Sequence, residues 1–175
     1  MNLTGSVTTP FYGDRMTKGS NDFDFLFGRW AVHHHKLADV TDRDSTDWID
    51  FDSEAEARPV LGGAGNVDTV AATLPDGRSF EGLTLRLYDP DADLWRIWWS
   101  STTHPGRLDP PVEGRFTDGR GVFVGADDLD GRPVLVRYLW SQITATSARW
   151  AQDFSYDGGT TWDQVNWIMT FTRRD

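Results

Sequence analysis

The chain has 175 residues, a formal net charge of −10 and no cysteine, and its sequence pI is about 4.7. The lack of cysteine excludes disulfides, thiolate metal sites and thiol nucleophiles, and the acidic balance disfavours binding to nucleic acid or to an anionic membrane. Nine Trp, ten Phe and four Tyr exceed what an ordinary core requires, which is a first indication of an aromatic cavity.

Residues 1–22 contain no basic segment followed by an apolar run, so they predict neither a secretory signal nor a membrane span. We expect them to form a flexible leader, followed by one domain over residues 23–175. Absence of cysteine is typical of a reducing compartment, and a cytoplasmic location is therefore expected.

From Gly28 onward, β-type runs alternate with short turns rich in Asp, Gly and Pro, a pattern typical of hairpins. No later segment has a sustained helical period. The pattern predicts about ten strands, at residues 28–37, 48–59, 64–74, 79–88, 94–101, 112–117, 121–127, 133–141, 148–156 and 162–173. Because the links are short, neighbouring strands should pair antiparallel and close into an up-and-down β-barrel with little helix.

Alternation along the strands indicates which side chains share a face. Trp30 and His34 share one face of the first strand, while His33 and His35 share the other. Later strands are bulky on both faces, so periodicity does not decide which of Trp98 and Trp99 points inward.

The segment FDFLFGRWAVHHHKL places Gly28-Arg29-Trp30 at the start of the first strand, and this resembles the Gly-x-Trp opening of calycins. That superfamily includes lipocalins, fatty-acid-binding proteins and nitrobindin-like barrels. Nearly everything after Asp22 is similar to an uncharacterised bacterial family of calycin-like barrels, judged by the segments ARPVLGGAGNVD, LYDPDADLWRIWW, RLDPPVEGRF and SARWAQDFSYDGGTTW. The resemblance implies the barrel and a ligand cavity, without implying a particular reaction.

Nitrobindin-like members of the superfamily bind haem through a histidine near the C-terminus. In this chain no histidine follows His104. The resemblance therefore does not extend to the haem site, and no cofactor is expected.

Residues 155–162 match the Asp-box pattern Ser-x-Asp-x-Gly-x-Thr-Trp, which is known from sialidase-type propellers. There it braces a hairpin, because Asp and Ser satisfy the turn amides. We predict the same structural role here, and the single copy excludes a propeller.

Histidines are the first candidates for chemistry. His34 is expected either to work as an acid or base inside the barrel or to be a hydrogen-bonded core residue. His33 and His35 could share a metal only with a further ligand such as His104; the alternative is a polar exposed face, and no metal site is predicted. His104 and Arg107 lie in the Pro-rich link 104–111, which is either a lid at the barrel mouth or a rigid connector.

The remaining candidates would bind a ligand rather than react with it. Trp30, Trp98, Trp99 and Trp140 are expected as stacking walls. Arg58, beside Glu56 and the glycines at 62, 63 and 65, is either a carboxylate clamp or a solvated residue. Polar groups inside otherwise apolar late strands are either ligand contacts or cross-strand pairs; these are Arg137, Gln152 and Asn166.

Binding of a small apolar or aromatic metabolite inside the barrel is the favoured function, with no nucleic acid or membrane partner and with a homodimer left open. The alternative is a cofactor-independent isomerase, cyclase or lyase in which His34 or His104 transfers protons. No nucleophile elbow supports covalent catalysis.

Overall fold

The computed structural model describes residues 18–129 and 131–175. They form ten strands, namely β1 (Gly28–Leu37), β2 (Trp48–Val60), β3 (Gly65–Thr73), β4 (Ser79–Asp89), β5 (Leu94–Ser101), β6 (Val112–Thr117), β7 (Arg120–Leu129), β8 (Arg132–Ser141), β9 (Ser147–Ser155) and β10 (Trp167–Arg173). Nine of these begin within one residue of the predicted start. The last strand begins at Trp167 rather than at the predicted residue 162, because the preceding residues form an extended turn.

Every strand pairs antiparallel with its neighbours in the chain, and β10 pairs with β1 to close the barrel. The predicted all-β up-and-down barrel is therefore confirmed. Closure gives each of the ten strands a pairing partner on both sides. Within the two described ranges, helix is limited to three short 3₁₀ segments at Lys18–Asn21, Asp24–Leu26 and Leu61–Gly63, none of them long and apolar enough to cross a membrane.

The glycine corner between β2 and β3 behaves as its composition predicts. Gly62 and Gly63 have φ values of 65° and 95°, which an L side chain rarely adopts. Glycine therefore suits these two positions of the reversal, whereas Leu61 beside them has a positive φ of 51°.

One end of the barrel, here called the base, contains the starts of β1, β3, β5, β7 and β9. Residues 18–27 close it, with the Phe23 ring fully buried. Phe23 lies 5.0–6.1 Å from four other rings at the base, those of Trp95, Phe116, Phe123 and Trp140.

The predicted leader, residues 1–22, falls mostly outside the described residues. Its last part belongs to the barrel, because Ser20 is buried and the Trp95 indole donates a 3.0 Å hydrogen bond to the Gly19 carbonyl. These two contacts attach the end of that segment to the base of the barrel.

Trp30 and Arg173 join the base segment to the barrel wall. The Trp30 indole donates to the Leu26 carbonyl at 2.7 Å, and the Arg173 guanidinium lies 4.2 Å from the Trp30 ring centre. Arg173 also donates to the carbonyls of Phe25 and Phe27. These hydrogen bonds satisfy the backbone of a short irregular segment that has no ladder of its own.

The Asp-box turn follows β9 and has the predicted self-contained hydrogen bonds. Ser155 Oγ donates to Asp157 Oδ1 at 2.8 Å and accepts the Gly159 N–H at 2.8 Å. The amide and hydroxyl of Thr161 donate to Asp157, and these bonds lower the carboxyl pKa to about 2. The predicted bracing role is confirmed.

Candidate functional site

A cavity of about 470 Å³ occupies the barrel interior. Its lining extends from Leu26 and Trp30 near the base to exposed residues in the loops at the opposite end. We call that end the mouth; Ala38, Arg78 and His104 belong to its loops. The cavity therefore reaches solvent at the mouth, while residues 18–27 close it at the base.

Many aromatic side chains line the cavity. They are Trp30, Phe51, Phe80, Trp99, Trp140, Trp150, Phe154, Trp167 and Phe171. The Trp99 indole lies flat over Gly82, where an added Cβ would overlap the ring. Gly82 thus makes room for Trp99, because glycine permits close approach. Rings in this number provide stacking surface for a flat apolar molecule.

His34 is buried, with 1% of its surface exposed, and it lines the cavity. Its ring stacks on Phe51 at 4.4 Å. The Trp167 indole lies 3.2 Å from His34 Nδ1, and Ser53 Oγ lies 2.8 Å from Nε2. Because an indole N–H only donates, Nδ1 must accept, so the proton is on Nε2 and is donated to Ser53.

We expect His34 to stay neutral at physiological pH, because burial lowers its pKa to about 4. The native state then binds fewer protons than the unfolded chain between pH 4 and the ordinary pKa of 6.5, and stability should fall as the pH decreases through that window. An NMR titration of the histidine rings checks this expectation.

Exposed His33 provides an internal control in the same spectra, because its hydrogen bond with Asp52 raises its pKa. His33 should therefore protonate at a higher pH than His34. A His34 midpoint near 6.5 would contradict the assignment.

A second polar group near the base, here called the base cluster, consists of Asn66, Asp68, Thr84 and Arg86. Arg86 forms an ion pair with Asp68 and donates to Asn66 Oδ1 at 3.0 Å. Thr84 donates to the other Asp68 oxygen at 3.0 Å. Arg86 is 5% exposed, and Arg86, Asp68 and Thr84 line the cavity. The sequence did not predict this cluster, because an arginine between two leucines on a strand, as Arg86 is between Leu85 and Leu87, is ordinarily expected on the solvent-facing side of a barrel.

Tyr138 and Gln152 are polar residues in the middle of the wall. Tyr138 packs on Trp150 at 4.9 Å, and its pKa is raised by burial and then by the charges of Asp109 and Asp127. Gln152 donates to Asn166 Oδ1 at 3.0 Å. Tyr138 and Gln152 line the cavity, whereas Asn166 supports Gln152 from behind.

Charged groups of both signs line the mouth, namely Lys36, Arg78, Asp109 and Asp127. Burial, and next the nearby Asp127, raises the pKa of Asp109. Burial lowers the pKa of Lys36, whose ammonium lies 5.3 Å from the Trp167 ring centre. The mouth therefore has no strong excess of one charge.

Some sequence-predicted site residues line the cavity, and the structure brings them together. These are Trp30, His34, Trp99, His104, Trp140 and Gln152. Their roles in binding or catalysis remain predictions.

Four residues that the sequence suggested as ligand contacts are not among those that line the cavity. Arg58 is exposed on the outer face of β2. Trp98 points outward because its neighbour Trp99 points inward. Arg137 lies outside, where it binds Asp153 and stacks on Trp162 at 4.0 Å. Asn166 is buried but lies behind Gln152.

His33 and His35 lie on the outer face of β1. Their Nδ1 atoms lie 2.8 Å and 2.9 Å from carboxylate oxygens of Asp52 and Asp50. Over residues 18–129 and 131–175, no group of three or more His, Asp or Glu side chains is arranged to hold a metal ion. Exposed His104 contacts Thr103 at the mouth.

Comparison with known proteins adds evidence on the fold. No family model matches the sequence, and neither does a curated protein. Rv2717c from M. tuberculosis is similar in structure, with a TM-score of 0.60 and 11% identity over 91% of this chain and 99% of that one. The S-type phycobiliprotein lyase CPES from Guillardia theta has a TM-score of 0.61 and 10% identity over 94% and 97%. The likeness shows that this chain shares its barrel fold with both proteins.

Proposed function

We propose that the protein binds a small apolar or aromatic molecule inside the barrel. The observation that supports this proposal is the cavity of about 470 Å³, which is lined by many aromatic and aliphatic side chains and reaches solvent at the mouth. Ligand sites are typically concave, mostly apolar and furnished with a few polar groups. The base cluster, Tyr138 and Gln152 would be those polar groups.

The structural neighbours support only the fold. One of them is named a phycobiliprotein lyase, but a likeness at 10% identity does not transfer an activity. The proposal therefore rests on the cavity.

The enzymatic alternative requires an interior imidazole that is free to exchange protons with a substrate. Both ring nitrogens of His34 are engaged, by Ser53 and by Trp167. His104 is exposed at the mouth. These contacts favour a structural role for His34 and give the enzymatic alternative no specific support.

Filling the cavity should abolish binding without removing the barrel. Ala55 is buried and lines the cavity, so in Ala55→Phe a ring would occupy the space of the ligand. We expect the affinity for the neutral fluorescent probe N-phenyl-1-naphthylamine to fall at least ~10-fold, about 1.4 kcal/mol. Fluorescence titration measures the change.

Ala71→Phe is the matched control, because Ala71 is exposed on the outer face of the adjacent strand β3. It should bind the probe as the wild type does. Unchanged binding by Ala55→Phe, or no binding by the wild type, would refute the proposal.

A further inference from the structure

The base cluster contains hydrogen-bond donors that the described part of the chain does not satisfy. Arg86 Nε and Asn66 Nδ2 are buried and have no partner. Arg86 donates only through Nη1, to Asn66 and Asp68. Arg86 Nη2 therefore also lacks a partner, and unlike Nε it is not fully buried. Because Arg86 lines the cavity, Nη2 is the donor that a ligand would meet.

Neighbouring acceptors in the cluster are already in use. Asp68 accepts from Thr84 at one oxygen and from Arg86 at the other, and Asn66 Oδ1 accepts from Arg86. Buried donors in folded proteins nearly always have a partner. The missing acceptor must therefore come from a water molecule or from a molecule bound in the cavity.

The shape of the base favours a flat group in this position. The Arg86 guanidinium lies 5.0 Å from the Phe23 ring centre and 5.9 Å from that of Trp140. Trp30 and Trp140 belong to the cavity wall at this depth. An acceptor attached directly to an aromatic system would reach Arg86 while its rings remain between these side chains.

Charge decides which kind of acceptor fits. The Arg86 cation is already neutralised by Asp68, so a ligand carboxylate would bring an uncompensated negative charge into the interior, which is costly. Lys36 and Arg78 do not compensate it, because they lie at the mouth, where Arg78 forms an ion pair with Asp76. An uncharged acceptor leaves the charge balance of the Arg86–Asp68 pair unchanged.

We propose that the base cluster binds the uncharged carbonyl oxygen of an aromatic ligand, with Arg86 Nη2 donating the hydrogen bond. The ligand class is thus an aryl ketone, aldehyde, quinone or lactone that enters the barrel carbonyl first. This inference rests on the proposed function, because it specifies the molecule that the cavity accepts.

A matched ligand set tests the carbonyl specificity. 2-Acetylnaphthalene and 2-isopropenylnaphthalene have the same shape and differ in C=O against C=CH₂, while 2-naphthoate supplies the anion. Calorimetry or displacement of N-phenyl-1-naphthylamine gives the three affinities. We expect the ketone to bind more tightly than both other compounds.

A variant then assigns the effect to Arg86. Arg86→Met combined with Asp68→Asn removes the ion pair without leaving a lone buried charge, and it should reduce the ketone-to-alkene affinity ratio about tenfold, as expected for one hydrogen bond to a charged donor. Arg115→Met, which changes an exposed arginine on the outer face of β6, should leave the ratio unchanged.

Infrared spectroscopy tests the hydrogen bond to the carbonyl in the wild-type protein, so this test does not depend on whether a variant folds. The carbonyl stretch of bound 2-acetylnaphthalene should lie at lower wavenumber than in an apolar solvent. Equal affinity for ketone and alkene with an unshifted stretch, or tighter binding of 2-naphthoate, would overturn the carbonyl site and leave the binding function standing. Failure of both neutral compounds to bind would overturn the proposed function as well.

Discussion

Phe23→Ala should lower the free energy of unfolding by ~3–5 kcal/mol, the range for truncating a fully buried aromatic side chain. Phe23 is completely buried and closes the base through the four rings that surround it. The rings around it include Trp95, Phe116 and Phe123. Because these lie on strands of the closed barrel, they have little freedom to fill the space that truncation would leave. Urea unfolding followed by far-UV circular dichroism measures the loss.

Phe25→Ala is the control from the same segment. Phe25 is half-buried and contacts the edges of Phe116 and Trp140, so its truncation should cost clearly less. Similar losses for the two variants would contradict the closing role assigned to Phe23.

Arg137→Met should cost about 3 kcal/mol of stability, because breaking a buried ion pair leaves an uncompensated charge. The Asp153 side chain is 4% exposed and that of Arg137 24%. Arg137 binds both Asp153 oxygens, through Nε and through Nη2. Adding Asp153→Asn should recover much of the lost stability, because it removes the carboxylate that Arg137→Met leaves without a partner. Urea unfolding of the single and the double variant provides the comparison.

The ion pair of Arg29 and Glu56 is the exposed counterpart. Its atoms are 3.7 Å apart, and the side chains are 71% and 61% exposed. Arg29→Met should therefore cost less than about 1 kcal/mol. The buried-pair argument fails if Arg137→Met lowers the stability no more than Arg29→Met does, or if the double variant is no more stable than Arg137→Met alone.

The strand pattern was predictable because it depends on local chemistry. The bounds of Gly28–Leu37, Leu94–Ser101 and Val112–Thr117 match the structure. Alternation also placed Trp30 and His34 on one face of the first strand, and the structure shows that this face lines the cavity. The start of the last strand was not predictable in this way, because the hydrogen bonds of the Asp-box turn compete with strand pairing over residues 156–166.

The inward faces of later strands were harder to predict from the sequence. Along β4, Thr84 and Arg86 point inward, whereas Leu83, Leu85 and Leu87 are at least partly exposed. This inverts the usual rule of apolar inside and polar outside. The inward polar residues are stabilised by the neighbouring strand β3, where Asn66 lies opposite Arg86 and Asp68 lies opposite Thr84. These polar partners form hydrogen bonds with one another.

By itself the sequence determined the fold class, the single antiparallel barrel and the aromatic character of its interior, because hydrophobic alternation and turn residues act over a few positions. Only the tertiary structure decided which tryptophan of the pair at 98 and 99 faces inward, which end is closed and where the unsatisfied donors lie. Those outcomes depend on contacts between residues far apart in the chain, such as Phe23 with Trp140 and His34 with Trp167. The aromatic cavity inferred from composition therefore also contains polar groups, with Arg86 near the base and a neutral His34 in the wall.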